Sequence, residues 1–169
     1  MIIAIDQSLK RIGVAVYNPG GTKLFSEISF FSIPTGLITF NQLFRKQEFI
    51  VTRMFEELKY IKNDRAFITD VVFEGYLYHS KGRVQQNFDI IELVGALKLK
   101  FIEEFPKVMF HTVNCSTWKK NIIGNGKAVK KEYTKKIQDR GYKVENDDEA
   151  AAVAILLEFI NNLTNKEKK

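Results

Sequence analysis

The chain opens with three strand-like segments before any helical pattern appears. The run Ile2–Ile5 is apolar and ends at Asp6, and Gly13–Tyr17 is rich in strand formers. A cluster of turn residues then leads into a third strand-like segment over 23–33. Consecutive strands with short connections pair side by side, so these segments predict a three-stranded meander.

After the meander, the apolar spacing alternates between the periods of a helix and of a strand. A spacing of three to four residues predicts an amphipathic helix over 39–62, and a buried strand follows over 67–73 and ends at Glu74. A helix over 84–105 and a strand over 108–113 come next, and further helices complete the chain. This order predicts an α/β fold with one mixed five-stranded sheet flanked by helices.

Length and composition fit one globular domain. The chain has 169 residues, of which 45% are hydrophobic and only 3 are Pro, and this excludes a disordered or collagen-like chain. We expect the domain to occupy 1–162 and a polar basic tail to occupy 163–169. No apolar run approaches the roughly 18 residues of a membrane span. The acid at position 6 comes too early for a signal peptide, so we expect a cytoplasmic protein without membrane contact.

The basic excess lies in one stretch of the chain. Between Lys107 and Lys143 there are ten Lys or Arg residues and two acidic ones, so this stretch is more basic than the whole chain, whose net charge is +6. A concentrated positive charge suits a polyanion such as nucleic acid. A solvated lysine-rich face is the alternative that charge alone leaves open.

Carboxylates stand at the ends of three expected elements. Asp6 follows the first strand, Glu74 follows the fourth, and the acids 147–149 open the last helix. Each could separately be a turn residue, a surface charge or a helix cap. Together they would repel one another, and a divalent cation relieves that repulsion. Ligands that are all oxygen favour Mg²⁺ or Mn²⁺, and two such ions about 4 Å apart can hydrolyse a phosphodiester. The pattern therefore predicts a metal-dependent nuclease.

Four motifs resemble those of the RuvC-type Holliday junction resolvases, in the family's order and with compatible spacing. They are Ile3–Val16, Val71–Glu74, Trp118–Lys130 and Asp147–Ile155. The resemblance runs from the first residues to about residue 160. It implies a ribonuclease-H-like fold, a homodimer, and Mg²⁺-dependent nicking of two opposed strands of a four-way DNA junction, with Mn²⁺ able to substitute.

The resemblance also implies the catalytic residues. Asp6, Glu74 and Asp148 match the family's acidic metal ligands, and Lys119 and Lys130 match two lysines that support catalysis. An ammonium group near the scissile phosphate can stabilise the negative charge that builds up in the transition state.

One family acid is missing. Three residues beyond Asp148 the family usually has another acid, where this chain has Ala151. Either the site works with three carboxylates, or Asp147, Glu149 or Glu145 supplies the missing oxygens. We include Asp147 among the expected metal ligands.

Expected DNA contacts flank the catalytic positions. In the loop after Glu74, the family places an aromatic side chain that stacks at the junction opening, and this chain has Tyr76 and Tyr78 there. Base stacking on an aromatic ring contributes about 1–3 kcal/mol. Core packing is the alternative for these tyrosines, and solvation is the alternative for the basic residues. The basic residues expected to contact DNA are Lys81, Arg83, Lys120, Lys127 and Lys131.

The helix expected over 84–105 carries more apolar surface than one face buries against a sheet. A dimer seam that includes Leu93 and Leu97 would use that surface. The alternative is a helix buried deeply within one copy.

Three other functions are alternatives to the resolvase. A YqgF-type RNA-processing nuclease has a similar opening, although Glu74 and the Lys119–Lys130 motif favour the resolvase. An actin-like phosphotransferase needs two such domains. A non-catalytic protein that binds branched DNA would need the basic stretch but not the acids. The compact chain suits a bacterial or phage-encoded version.

Overall fold

A computed structural model describes residues 1–8, 10–18, 28–34, 43–61, 67–75 and 84–167. The described residues form a five-stranded sheet with the order β3-β2-β1-β4-β5. The first three strands are antiparallel neighbours, whereas β4 runs parallel to both β1 and β5. The strands are β1 (Ile2–Asp6), β2 (Arg11–Tyr17), β3 (Ile28–Pro34), β4 (Asp70–Gly75) and β5 (Met109–Asn114). The predicted meander and mixed five-stranded sheet are confirmed.

Helices cover both faces of this sheet. They are α1 (Leu43–Ile61), α2 (Val84–Glu104), α3 (Cys115–Trp118), α4 (Lys130–Asp139) and α5 (Asp147–Glu167), with a π-helical turn over Lys119–Ile123. The last helix continues to Glu167, into the segment expected to be a polar tail. No helix within the described residues is long and apolar enough to cross a membrane.

The strands bury side chains on both faces of the sheet. In β1, Ile2 and Ala4 contact the core beneath α4 and α5, while Ile3 and Ile5 contact the core beneath α1 and α2. Alternating side chains of a strand point to opposite faces, so β1 is apolar at four consecutive positions. Because both sides of β1 are buried, its sequence is apolar up to the acid Asp6 at its end.

The start of α5 lies directly on β2. A Cβ added at Gly13 would come 1.9 Å from the backbone oxygen of Asp148, so only glycine fits there. Next along the helix, residues 150–154 are four alanines and one valine, and all are buried. These small residues let the helix backbone approach the sheet. Because Gly13 pairs with Asp6 across the strands, the start of α5 is brought to the end of β1.

Two residues of the expected dimer seam, Leu93 and Leu97, lie on the inner side of α2. Leu93 and Leu97 are fully buried beside Phe101 in the protein's own core, so they are not available to a second copy. An apolar run on every side of a helix does not reveal which side faces inward. The exposed apolar side chains of α2 lie on its opposite side, at positions 88, 91, 99 and 102.

Candidate active site

Three elements bring four carboxylates to one edge of the sheet. Strands β1 and β4 are parallel and remain paired up to Ile5 and Phe73, so Asp6 and Glu74 emerge at the same edge. The close contact of α5 with Gly13 adds Asp147 and Asp148 at that edge. The candidate site is therefore built by strand pairing and by one tight helix contact.

The carboxylates strongly perturb one another. Burial raises the pKa of Asp6 well above its usual range, Glu74 and Asp148 raise it further, and Lys130 partly offsets this. Burial also raises the pKa of Asp148, with a further contribution from Asp147. A desolvated group of like charges holds protons more tightly than separate carboxylates do. The arrangement therefore favours an added positive charge.

Glu74 is held by hydrogen bonds to both its backbone and its side chain. Its backbone N–H donates to Gln7 Oε1 at 3.1 Å, and Gln7 Nε2 donates to the Glu74 carbonyl oxygen at 2.6 Å. Its side-chain Oε1 accepts a hydrogen bond from Trp118 Nε1 at 3.0 Å. Gln7 and Trp118 are both buried. The Gln7 side chain thus ties β1 to β4 just beyond their ladder, and Trp118 orients the carboxylate.

Sequence reasoning assigned no role to either of these two residues. Gln7 lies 67 residues from Glu74 and Trp118 lies 44 residues from it, so only the strand pairing reveals their contacts. The one available signal is chemical: a buried indole N–H must find an acceptor. Trp118 is the single tryptophan of the chain.

The two expected catalytic lysines are held in different ways. Lys130 begins α4 and forms an ion pair with Asp147, which raises the pKa of Lys130. The Lys130 side chain is 74% exposed, and an exposed ion pair exchanges partners at little cost. The Lys119 ammonium instead lies 5.4 Å from the ring centroids of both Trp118 and Tyr133.

Cys115 also lies beside the acids. Burial raises the pKa of its thiol to about 11, and the neighbouring Glu74 carboxylate contributes to this shift. The side chain is half-buried.

Glu149 is held by the cap of the last helix and is not free to bind a metal ion. Its Oε1 accepts hydrogen bonds from Ser32 Oγ and Asn146 Nδ2, and its Oε2 accepts one from the Glu145 backbone N–H. In return, Asn146 Oδ1 accepts a hydrogen bond from the Glu149 N–H at 3.0 Å. Ala151, at the position of the missing family acid, is buried in the core. Asp147, by contrast, lies close enough to raise the pKa of both Asp6 and Asp148.

The described carboxylates do not form a closed metal cage by themselves. Within the ranges that the structure describes, no three His, Cys, Asp or Glu side chains are arranged to hold one ion. Lys130 is paired with Asp147 at this edge. To hold one ion, three of these carboxylates would have to move from the positions seen here, and Asp147 would take part only after leaving Lys130.

A polar groove extends from the acidic edge. It lies between α4 and the start of α5 and encloses about 620 Å³, and its charged lining residues are Lys130, Lys131, Lys135, Asp139, Glu145 and Asp147. Lys120 and Lys127 are exposed nearby in the chain, around the turn that precedes α4. The remaining expected DNA contacts lie outside the described residues; they are Tyr76, Tyr78, Lys81 and Arg83.

The fold is that of the RuvC-type Holliday junction resolvases, as comparison with solved structures shows. The chain is similar to Thermus thermophilus RuvC, with a TM-score of 0.65 and 17% identity over 93% of this chain and 91% of that one. T. thermophilus RuvC in complex with a Holliday junction substrate gives a TM-score of 0.65 and 19% identity over 93% and 90% of the two chains. The yeast mitochondrial Holliday junction resolvase Ydc2 gives a TM-score of 0.53 and 14% identity over 91% of this chain and 75% of that one.

Sequence comparison adds nothing to this result. No protein-family model matches the chain, and no curated protein matches it. The predicted ribonuclease-H-like fold is confirmed, whereas identities of this size carry no residue roles. Nothing in the comparisons supports a phage origin.

Proposed function

We propose that this protein is a structure-selective endonuclease that nicks symmetric strands of four-way DNA junctions by metal-dependent phosphodiester hydrolysis. The observation that carries the proposal is the meeting of Asp6, Glu74 and Asp148 at one sheet edge, in a fold shared with two Holliday junction resolvases. One of the similar structures holds a Holliday junction substrate. Branched DNA is therefore the substrate class we infer.

The donor set fits a hard divalent cation. All four acids offer oxygen ligands, which suit Mg²⁺ and also Mn²⁺. The raised pKa values of Asp6 and Asp148 indicate mutual repulsion that a cation would relieve. Asp6, Glu74 and Asp148 would hold the metal, and Asp147 could join them on leaving Lys130. When bound, the metal would supply an activated water and stabilise the leaving oxygen.

The lysines act on the phosphate that the acids alone would repel. The exposed Lys130 ammonium neutralises Asp147 and can turn to a phosphate oxygen once DNA is bound. Lys119, placed against two aromatic rings, carries a second positive charge beside Glu74. Both groups can stabilise the charge that develops on the phosphoryl oxygens. Lys120, Lys127 and Lys131 bind the phosphates of the DNA backbone without regard to base sequence.

We propose further that the protein works as a homodimer through the outer side of α2. The apolar stripe of α2, as we call it, comprises Phe88, Ile91, Leu99 and Ile102, which are 42% to 60% exposed. Their spacing places them along one side of the helix with the exposed Gly95 at its middle. A four-way junction offers two equivalent strands, and a two-fold axis through this stripe would supply two equivalent sites.

The proposal is tested by cleavage of labelled substrates. Purified protein is incubated with four-way, Y-shaped and linear duplex DNA, and with a structured RNA, in Mg²⁺ or in chelator. We expect symmetric nicks in the four-way junction only when Mg²⁺ is present. Glu74→Gln should abolish the nicks, while Glu103→Gln, the same substitution on the exposed end of α2, should not.

Three results contradict the proposal. Cleavage confined to RNA would favour the YqgF-type reading. Tight junction binding without cleavage by the wild type in Mg²⁺ or Mn²⁺ would favour the non-catalytic reading. Cleavage of linear duplex as fast as of the junction would remove structure selectivity.

A further inference from the structure

The single tryptophan of the chain contacts two parts of the proposed site at once. Trp118 is 1% exposed and belongs to the core that α4 and α5 form with the sheet. Its indole N–H donates to Glu74 Oε1 at 3.0 Å. Its ring face lies beneath the Lys119 ammonium, 5.4 Å from the centroid.

The two contacts use different parts of the indole ring. A hydrogen bond from Nε1 lies in the ring plane, whereas a cation contacts the negative charge on the ring face. Both interactions can therefore be formed together without competition. Tyr133 completes the arrangement, because its ring stands at 84° to that of Trp118 with the centroids 5.3 Å apart. The Lys119 ammonium lies 5.4 Å from this second ring as well.

The surrounding structure holds the indole in place. Trp118 ends α3, and the wider π-helical turn over Lys119–Ile123 follows it at once. Ile122, Tyr133 and Ile137 are buried in the same core, so close packing restricts rotation of the ring. Short π-helical insertions are frequent at functional sites.

We infer that Trp118 is a positioning residue of the proposed nuclease, whose N–H orients Glu74 and whose ring, together with Tyr133, places Lys119. One buried side chain thereby fixes the separation between an acidic ligand and a lysine that stabilises charge on the phosphate. The inference rests on the proposed function, because it needs Glu74 to hold a metal. Trp118 itself touches neither the DNA nor the metal.

Loss of the indole N–H should weaken metal binding more than DNA binding. Residues that hydrogen-bond to a metal ligand orient it, and their removal typically lowers metal affinity or activity about 10-fold or more. We expect Trp118→Phe to need about 10-fold more Mg²⁺ for half-maximal binding, with unchanged affinity for a four-way junction in chelator. Ile137→Val, which removes one methyl group from the same core, should keep the wild-type Mg²⁺ midpoint.

The lone indole also provides a direct spectroscopic readout. The full chain labelled with ¹⁵N has one tryptophan side-chain N–H signal, which is followed as Mg²⁺ alone is added without DNA. Metal binding is measured independently by the rise in the thermal unfolding midpoint. We expect the indole signal to move with the same Mg²⁺ midpoint as the unfolding temperature. Glu74→Gln should shift the signal without metal and abolish its response to Mg²⁺.

The outcomes separate this inference from the proposed function. If Mg²⁺ raises the unfolding midpoint while the indole signal stays fixed, the inference is overturned and the nuclease proposal stands. An unchanged Mg²⁺ midpoint in folded Trp118→Phe would overturn it equally. If Mg²⁺ and Mn²⁺ affect neither readout, the proposed metal site fails and the inference fails with it. Should Trp118→Phe not fold, the wild-type and Glu74→Gln spectra decide alone.

Discussion

The two faces of the sheet pack their helices in opposite ways. On one face, Gly13 and the small residues 150–154 allow the backbone of α5 to touch a strand. On the other, Leu93, Leu97 and Phe101 fill the space between α2 and the sheet with large side chains. Close backbone contact brings a polar helix start to the strand ends. Packing through large side chains leaves α2 with a second apolar side facing outward.

In the proposed function, this difference would place chemistry on one face of the sheet and assembly on the other. The face with small residues carries the acids, the ion pair of Lys130 and the capping network of Glu149. The face with large residues carries the apolar stripe of α2. Substitutions on the first face should alter cleavage or the positions of the acids, whereas those on the outer side of α2 should alter association.

The largest expected effect distinguishes the two sides of α2. Leu93→Asp places a charge in a dry core and should cost about 5 kcal/mol or more, so the chain should not fold stably. Leu99→Asp, the same substitution on the exposed side, should leave a folded chain that is monomeric. Circular dichroism reports folding and light scattering reports mass. Wild-type protein that is monomeric both alone and on a junction would contradict the dimer.

The next effect tests the close approach of α5. Gly13→Ala would force its new Cβ against the Asp148 backbone, at 1.9 Å, and should lower the free energy of unfolding by about 3 kcal/mol or more. Gly75→Ala is the matched control, because its Cβ meets only the Asn114 side-chain oxygen, at 2.6 Å, and that side chain can rotate away. Urea unfolding measures the free energy of unfolding of both variants. Equal losses would mean that the packing of α5 does not depend on its contact with Gly13.

These first two predictions show what the sequence can and cannot reveal. Strand periodicity and the acids at strand ends predicted the sheet and placed Asp6 and Glu74, because both features are local. The inward side of α2 was misassigned at Leu93 and Leu97, since an apolar run on all sides has no preferred direction. The hydrogen bonds of Gln7 and Trp118 to Glu74 depend on which strands pair.

The acids 147–149 also show that sequence does not reveal the environment of each side chain. Three consecutive acids at a helix start look alike in sequence, yet each has a different environment. Glu149 is buried and hydrogen-bonded to the capping residue Asn146, Asp147 pairs with Lys130, and the backbone of Asp148 lies against Gly13. Only the helical turn, with its period of 3.6 residues, separates their directions.

A smaller effect is expected from the lysines. Lys119→Ala and Lys130→Ala should each slow cleavage about 10²-fold, because each removes a positive group from a developing charge. Lys136→Ala, an exposed lysine on α4, is the control that should change only the salt dependence of binding. Single-turnover rates at saturating enzyme separate the two effects. Rates equal to wild type would exclude a catalytic role for these lysines.

The smallest effect concerns pH and stability. The pKa of Asp6 is raised in the folded state, so folding is progressively disfavoured as pH rises from the unfolded value, about 4, through the folded one. Asp6→Asn lacks this charge and should therefore be more stable than wild type at pH 7 by at least about 1 kcal/mol, with the gain vanishing near pH 4. Chemical unfolding of both proteins in chelator measures this difference in the free energy of unfolding. A difference that grows as pH falls would contradict a raised pKa for Asp6.

Separation of cutting from binding tests most directly whether the acidic edge is the catalytic site. Asp148→Asn is compared with Asp139→Asn, the same substitution on an exposed residue of α4 that lines the neighbouring groove. Gel shift and nicking are measured on the same samples of labelled four-way junction in Mg²⁺. We expect Asp148→Asn to bind as tightly as wild type and to nick at least about 10³-fold more slowly, while Asp139→Asn does both normally. Robust nicking by Asp148→Asn would contradict the assignment of the acidic edge as the catalytic site.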